Sequence, residues 1–227
     1  MINSTNLRFE RKFILKDSGF GDLNLILKKK ALGFRKAFPD RHVNSVYFDT
    51  HDFKYYCENL DGVANRHKIR IRWYGKDNGA LVENPKLEIK IKRGLVGTKQ
   101  LHRLSGFDCN RNLNGLLLAL SKEDIPEATK LLIKSVLPVV LVRYRRKYFI
   151  SKNNQIRLTF DDNIRYYNAG NGFIRGAGIR DENNIVEIKY AVENDEWVEQ
   201  ISSNFPYRLN KNSKYVNALK TFYDVRI

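Results

Sequence analysis

Four cations stand at alternate positions in one short stretch, Arg66, Lys68, Arg70 and Arg72, and Glu88, Lys90 and Lys92 repeat the spacing further on. The same interval separates Arg8, Glu10 and Lys12, then Tyr144, Arg146 and Tyr148, then Arg157, Thr159 and Asp161, then Glu187 and Lys189. Between them lie apolar residues: Ile69, Ile71 and Trp73; Leu87, Ile89 and Ile91; Leu158 and Phe160; Val186, Ile188 and Tyr190. Side chains of an extended strand alternate faces, so each segment has one charged and one apolar face. Like charges two residues apart sit about 6.6 Å from one another. They repel by roughly 0.6 kcal/mol in water and nearer 2.5 kcal/mol at an effective dielectric of about 20. Four in a row call for an anion with many oxygens among them. Arginine offers forked hydrogen bonds to phosphate and lysine a compact charge, so the chemistry implied is the binding of linked phosphates. The competing explanation is an ordinary sheet with one wet side. Against it stand the near-uniform sign of the charges and their recurrence in strands from both ends of the chain.

The remaining reactive side chains point elsewhere. Cys57 and Cys109 have neither CxxC spacing nor a histidine partner, and His42, His51, His67 and His102 are scattered, which argues against zinc and disulfides. Tyr47, Phe48 and Trp73 read as barrel packing, Asp49 and Asp161 as turn formers, and Lys28–Lys30 as a solvated helix end. Tyr144 and Tyr148 share the Arg146 face and could reach phosphate oxygens.

The elements that must position these residues follow from the same periodicities. Strands are expected at Leu7–Leu15, Val43–Asp49, Arg66–Tyr74, Lys86–Lys92, Val139–Ile150, Gln155–Asp161 and Ile185–Tyr190. Helical spacing marks Asp22–Ala31, Leu113–Leu120, Ile125–Val136, Asp195–Ser202 and Ser213–Phe222, and Gly170–Gly178 reads as a loop with a short strand. The chain has 227 residues, 42% of them hydrophobic, and a net charge of +16. That suits one domain over residues 1–227 with an acidic partner. No segment reads as a membrane helix or signal peptide, so the expected location is the cytoplasm. The expected fold is α+β: a closed antiparallel eight-stranded β-barrel with a charged lumen and helices packed on the outside.

The motifs Arg8–Phe13, Asn44–Thr50, Lys68–Tyr74, Leu87–Lys92, Tyr144–Phe149, Arg157–Asp161, Glu187–Lys189 and Ser213–Tyr215 resemble, in order, those of the VTC domain. This is the polyphosphate polymerase domain of the vacuolar transporter chaperone family, grouped with the CYTH triphosphatases among the triphosphate tunnel metalloenzymes. The resemblance implies a triphosphate tunnel and transfer of the ATP γ-phosphate to a growing polyphosphate chain. It implies Arg70, Arg72, Lys90, Arg146 and Arg157 as the catalytic cations. Lys12, Lys68, Lys92, Lys189, Lys211, Lys214 and Tyr144 would be further substrate contacts. Glu187 matches the metal-binding carboxylate, with Glu10 beside it, for Mn²⁺ or Mg²⁺. The triphosphatase branch carries a more acidic first strand; here Arg8 stands in that motif, which favours the polymerase branch. The expectation is a stand-alone catalytic domain without the regulatory amino-terminal domain and membrane helices of eukaryotic family members, so that any export would fall to a separate membrane partner protein.

Other readings remain open on sequence. A tunnel triphosphatase would use Glu10 or Glu88 to activate water, although each sits two residues from a lysine and could merely balance charge. A non-catalytic polyphosphate or nucleotide sensor would bind without turnover. A nucleic-acid partner is not expected, because the aromatics alternate away from the cations.

Overall fold

The computed structural model describes residues 8–16, 20–28, 33–76, 81–93, 96–108, 113–120, 122–172, 174–196, 198–199 and 209–223. In chain order the elements are β1 (Arg8–Lys16), α1 (Phe20–Lys28), β2 (Arg35–Asp49), α2 (Lys54–Asp61), β3 (Arg66–Tyr74), β4 (Leu81–Val82), β5 (Lys86–Arg93), β6 (Val96–Arg103) and β7 (Phe107–Asp108). There follow α3 (Leu113–Leu120), α4 (Glu127–Lys134), β8 (Leu137–Ile150), β9 (Arg157–Asn168), β10 (Arg175–Arg180), β11 (Asn183–Ala191) and α5 (Lys214–Phe222). No described helix is long and apolar enough to cross a membrane.

The main sheet is mostly antiparallel, in the order β1-β11-β9-β8-β2-β3-β5-β6, with β10 on β9 and β4-β7 as a separate pair. It corrects the expected closed eight-stranded barrel. Nine strands form an open sheet in which, among the described residues, β1 and β6 are ends and not neighbours. Charge alternation tells each strand which face to bury, but closure depends on tilt and stagger that no local pattern encodes.

Contacts divide the chain into two compact units, and β2, β8 and β9 contribute residues to both. One unit holds residues 1–41, 144–164 and 181–212. Its core joins Phe13 and Leu15 of β1, Leu158 and Phe160 of β9, and Val186, Ile188 and Tyr190 of β11, covered by Leu23 and Leu27 of α1. The register places Phe13 opposite Val186, and Val186 opposite Phe160, so the apolar side chains meet across strands.

The other unit holds residues 42–143, 165–180 and 213–227. Here Val46 and Phe48 of β2, Ile69, Ile71 and Trp73 of β3, and Leu87 and Ile89 of β5 pack beneath Leu113, Leu116 and Leu120 of α3 and Ile133 of α4. Ile71 stands opposite both Val46 and Leu87. Each such side chain contributes about 1.5–3 kcal/mol on burial. A slip of one residue would turn that set outward and the cations inward, so the apolar face fixes the register.

β2 begins at Arg35 rather than Val43, because its first half is largely exposed and lacks apolar alternation. The unexpected α2 has no side-chain cap at Phe53; the Asp49 carboxylate instead accepts from the Tyr55 and Tyr56 amides, both at 2.9 Å. β6 was likewise not expected, since Val96–Arg103 mixes polar and apolar residues on both faces. Of the helix expected over residues 195–202, residues 195, 196, 198 and 199 are described and are helical, and the other four lie outside the described residues.

Candidate functional site

Each unit presents a charged strand face opposite its core. In the second unit the ladder sets Arg66 opposite Lys92, Lys68 opposite Lys90, Arg70 opposite Glu88 and Arg72 opposite Lys86. β6 adds Lys99 across from Lys90. Like charges directly opposite one another are destabilising, so this face holds unfavourable energy that an anion would relieve.

Glu88 is buried at the centre of that face. Arg70 Nε donates to its Oε2 at 2.9 Å, and Lys99 Nζ lies 3.2 Å from Oε1. Burial would raise this carboxyl, yet Arg70, Arg72 and Lys99 hold it down at about 2. On the β2 side, the Tyr47 hydroxyl accepts from Arg70 Nη1 at 3.1 Å, and the Ser45 hydroxyl accepts from Arg72 Nε at 3.2 Å. Burial pushes the Tyr47 phenol up, but Arg70, Arg72 and Lys214 more than offset it, and the net direction is down.

Lys68 Nζ donates to the Ser213 hydroxyl at 2.9 Å, just ahead of α5. That hydroxyl also caps α5 by accepting from the Val216 amide. The helix is tied down by Tyr215, whose hydroxyl donates to Asp49 and whose ring stacks on Tyr47 at 5.1 Å. Burial and the Asp49 charge push the Tyr215 phenol far up, so it stays a donor. Lys214 is half-buried beside this cluster, Lys92 is half-buried and Lys90 is exposed.

In the first unit, Lys12 faces Glu187 and Glu10 faces Lys189 across β1 and β11. Lys12 Nζ lies 2.6 Å from Glu10 Oε1 and donates to the Asn212 carbonyl at 3.1 Å. Lys189 Nζ bridges the two acids, 2.6 Å from Glu187 Oε1 and 3.6 Å from Glu10 Oε2. Burial would raise Glu187, but Lys189, Arg146 and Lys12 hold it well below the usual carboxylate range. Burial and repulsion from Glu187 push Glu10 up, while Lys12 and Lys189 prevail and lower it.

Arg146 is placed by a bidentate pair with the fully buried Asp161, at 2.6 and 2.7 Å, and its guanidinium lies 5.2 Å over the buried Tyr144 ring. Arg157 is exposed and stands opposite Lys189. Lys211 is exposed on the segment beside β1, where the Asn210 amide donates to the Lys12 carbonyl at 2.9 Å.

The expected residues thus gather into two sets. Lys68, Arg70, Arg72, Lys90, Lys92 and Lys214 belong to one unit. Glu10, Lys12, Tyr144, Arg146, Arg157, Glu187, Lys189 and Lys211 belong to the other. Ser45, Lys99 and Ser213 sit against the first set and were not expected as contacts, and Tyr47, expected as barrel packing, instead accepts a hydrogen bond from Arg70 within it. Asp161 corrects a sequence reading: it is no turn former but the buried counter-ion of Arg146, and the signal was its place on the charged face of its strand.

Both acids are oxygen donors, and the Thr159 hydroxyl, opposite Glu187, is buried without a hydrogen-bond partner among the described residues. This donor set fits a hard divalent cation that completes its shell with phosphate and water oxygens.

The sequence profile of the VTC domain matches residues 7–223. The chain belongs to the VTC domain family. Nothing among curated proteins matches it. The fold of this VTC domain is shared with solved structures of low identity. A candidate adenylate cyclase from Bacillus halodurans is 15% identical over 96% of this chain and 98% of its own, with a TM-score of 0.59. HpAC1 from Hippeastrum, assigned as an adenylyl cyclase and described as having a dominant triphosphatase activity, is 14% identical over 94% of this chain and 96% of its own, with a TM-score of 0.54.

Proposed function

We propose that this VTC domain is a polyphosphate polymerase, transferring the γ-phosphate of ATP to the end of a growing inorganic polyphosphate chain. The observation that carries the reading is the ladder of Arg66, Lys68, Arg70 and Arg72 against Lys86, Lys90 and Lys92, with Glu88 as the acid between them. Phosphoryl transfer needs neutralisation and alignment of phosphates more than covalent help, and a multidentate cationic face offers both. Arg70, Arg72 and Lys90 hold phosphate oxygens on one face; Lys12, Arg146, Arg157 and Lys189 do so on the other. Lys68, Lys92, Lys211 and Lys214 add charge, and Tyr144 supports the Arg146 guanidinium from beneath.

Glu187 and Glu10 would hold Mn²⁺ or Mg²⁺, which when bound supplies Lewis-acid neutralisation of phosphate oxygens. The anionic end of a phosphate chain is already a nucleophile and needs no general base. A hydrolase does need one, and Glu10 and Glu88 are both engaged by cations, Glu88 with a pKa of about 2 that makes it a feeble base. This favours transfer over hydrolysis. The chain would act as a single domain over residues 1–227 in the cytoplasm, with any export left to a separate membrane partner and no role for nucleic acid.

Triphosphate hydrolysis is the second reading, favoured by the activity described for HpAC1. The deciding experiment incubates the protein with ATP, a short polyphosphate primer and Mn²⁺ or Mg²⁺, and resolves the products by size. Long chains that vanish in Arg70→Ala and Glu187→Gln support the polymerase. Orthophosphate alone moves the assignment to a triphosphatase, and tight binding without turnover to a sensor.

A further inference from the structure

Lys12 and Lys189 both touch the acids of β1 and β11, but they are held differently. The register sets Glu10 opposite Lys189 and Lys12 opposite Glu187, so the four side chains share one face. Lys12 Nζ lies 2.6 Å from Glu10 Oε1 and is anchored besides by the Asn212 carbonyl, to which it donates at 3.1 Å. Lys189 Nζ spans the carboxylates, 2.6 Å from Glu187 Oε1 and 3.6 Å from Glu10 Oε2, and its side chain is 47% exposed. Among the described residues these two acids are its ion-pair partners, while Arg157, directly opposite on β9, is a like charge. Its ammonium therefore rests on the acids alone.

Those oxygens are the ones a hard divalent cation would need. Two cations there would repel each other at a few ångströms, so the ammonium has to leave before the ion can settle. It has somewhere to go. Lysine carries a compact charge on a flexible four-carbon stem, and a phosphate held by Arg157 on the same face offers it anionic oxygens. We propose that Lys189 is a built-in counter-ion that keeps the Glu187–Glu10 pair closed to divalent cations until a phosphate draws its ammonium away. Metal and phosphate then bind as a pair, each tightening the other by the same factor. The proposal rests on the reading of Glu187 and Glu10 as cation ligands and of the charged face as phosphate-binding.

The test measures Mn²⁺ binding without phosphate, by loss of the free-ion electron paramagnetic resonance signal, for the wild type, Lys189→Met, Lys189→Gln and Lys12→Met. If the acids are open in about 1–10% of wild-type molecules, removing the Lys189 ammonium should tighten Mn²⁺ by about 10- to 100-fold. Lys12→Met removes the same charge from beside Glu10 but leaves Lys189 seated, so its gain should stay within about three-fold. Metal-free calorimetry should show the opposite sign for tripolyphosphate, about 3- to 10-fold weaker with Lys189→Met. Mn²⁺ binding that depends on Glu187 but gains nothing in the Lys189 variants, or gains equally in Lys12→Met, refutes the counter-ion alone. So does a tripolyphosphate affinity that Lys189→Met leaves unmoved. Mn²⁺ binding that is absent from every variant, or that Glu187→Gln does not weaken in the Lys189→Met background, means the acids are not the cation site, and the metal-binding reading falls with the proposal.

Discussion

Glu88 is the acid set among the cations of β3, β5 and β6, and its charge has two consequences that can be measured apart. Its carboxyl falls from 4.5 to about 2 on folding, so the unfolded chain binds the proton more readily. The stabilisation is fully present above about pH 4.5 and is lost as pH falls toward about 2, of order 1–3 kcal/mol in all. Denaturant titrations from pH 7 to pH 2 should show the wild type losing its advantage over Glu88→Gln across that window, the two converging at the acid end. The same substitution removes a negative charge from beside the phosphates, so metal-free tripolyphosphate should bind roughly 3- to 30-fold more tightly to Glu88→Gln. A weaker complex would mean that no phosphate lies near Arg70. Arg146 calls for a different expectation. Its partner Asp161 is fully buried, so Arg146→Ala strands a charge and should cost about 3–5 kcal/mol of stability, read as a large fall in Tm.

The elements divide according to what their sequences declare. β3 reads directly, because cations and apolar residues alternate without a break from Lys68 to Trp73 and so mark the face that enters the core. The first half of β2 is illegible for the opposite reason: with both faces exposed, no side chain distinguishes in from out. The start of α2 is hidden because its capping carboxylate, Asp49, lies several residues ahead of the helix. The role of Asp49 in holding α5 could not be read locally, since its partner Tyr215 is 166 residues away. The charged site shows the same divide: Arg70, Arg72 and Lys90 stand out by spacing, whereas Ser45 and Tyr47 matter only through a register that sequence does not print. The α5 tether can be tested. Tyr215→Phe keeps the ring on Tyr47 but removes the donor to a buried carboxylate, at a cost of about 1–3 kcal/mol. It should also weaken phosphate binding if Lys214 and Ser213 are presented by that helix; thermal melts with and without tripolyphosphate measure both.

Across the whole molecule, a net charge of +16 should draw polyanions from a distance, and the attraction should fade with salt. Tripolyphosphate should raise Tm at low ionic strength, and the rise should shrink as sodium chloride goes from about 20 mM to about 0.5 M. A nonspecific basic surface would show that too, so salt dependence alone does not identify the site. The most direct measurement is calorimetric titration of tripolyphosphate into the wild type, Arg70→Ala and Lys90→Ala at fixed salt, with a half-buried lysine of α4, Lys130→Ala, as the control. Saturable binding weakened about ten-fold or more by Arg70→Ala and Lys90→Ala, roughly 1.4 kcal/mol each, and left intact by Lys130→Ala is the result predicted. Equal losses at all three positions, or no saturable binding, would contradict a built phosphate site on these strands.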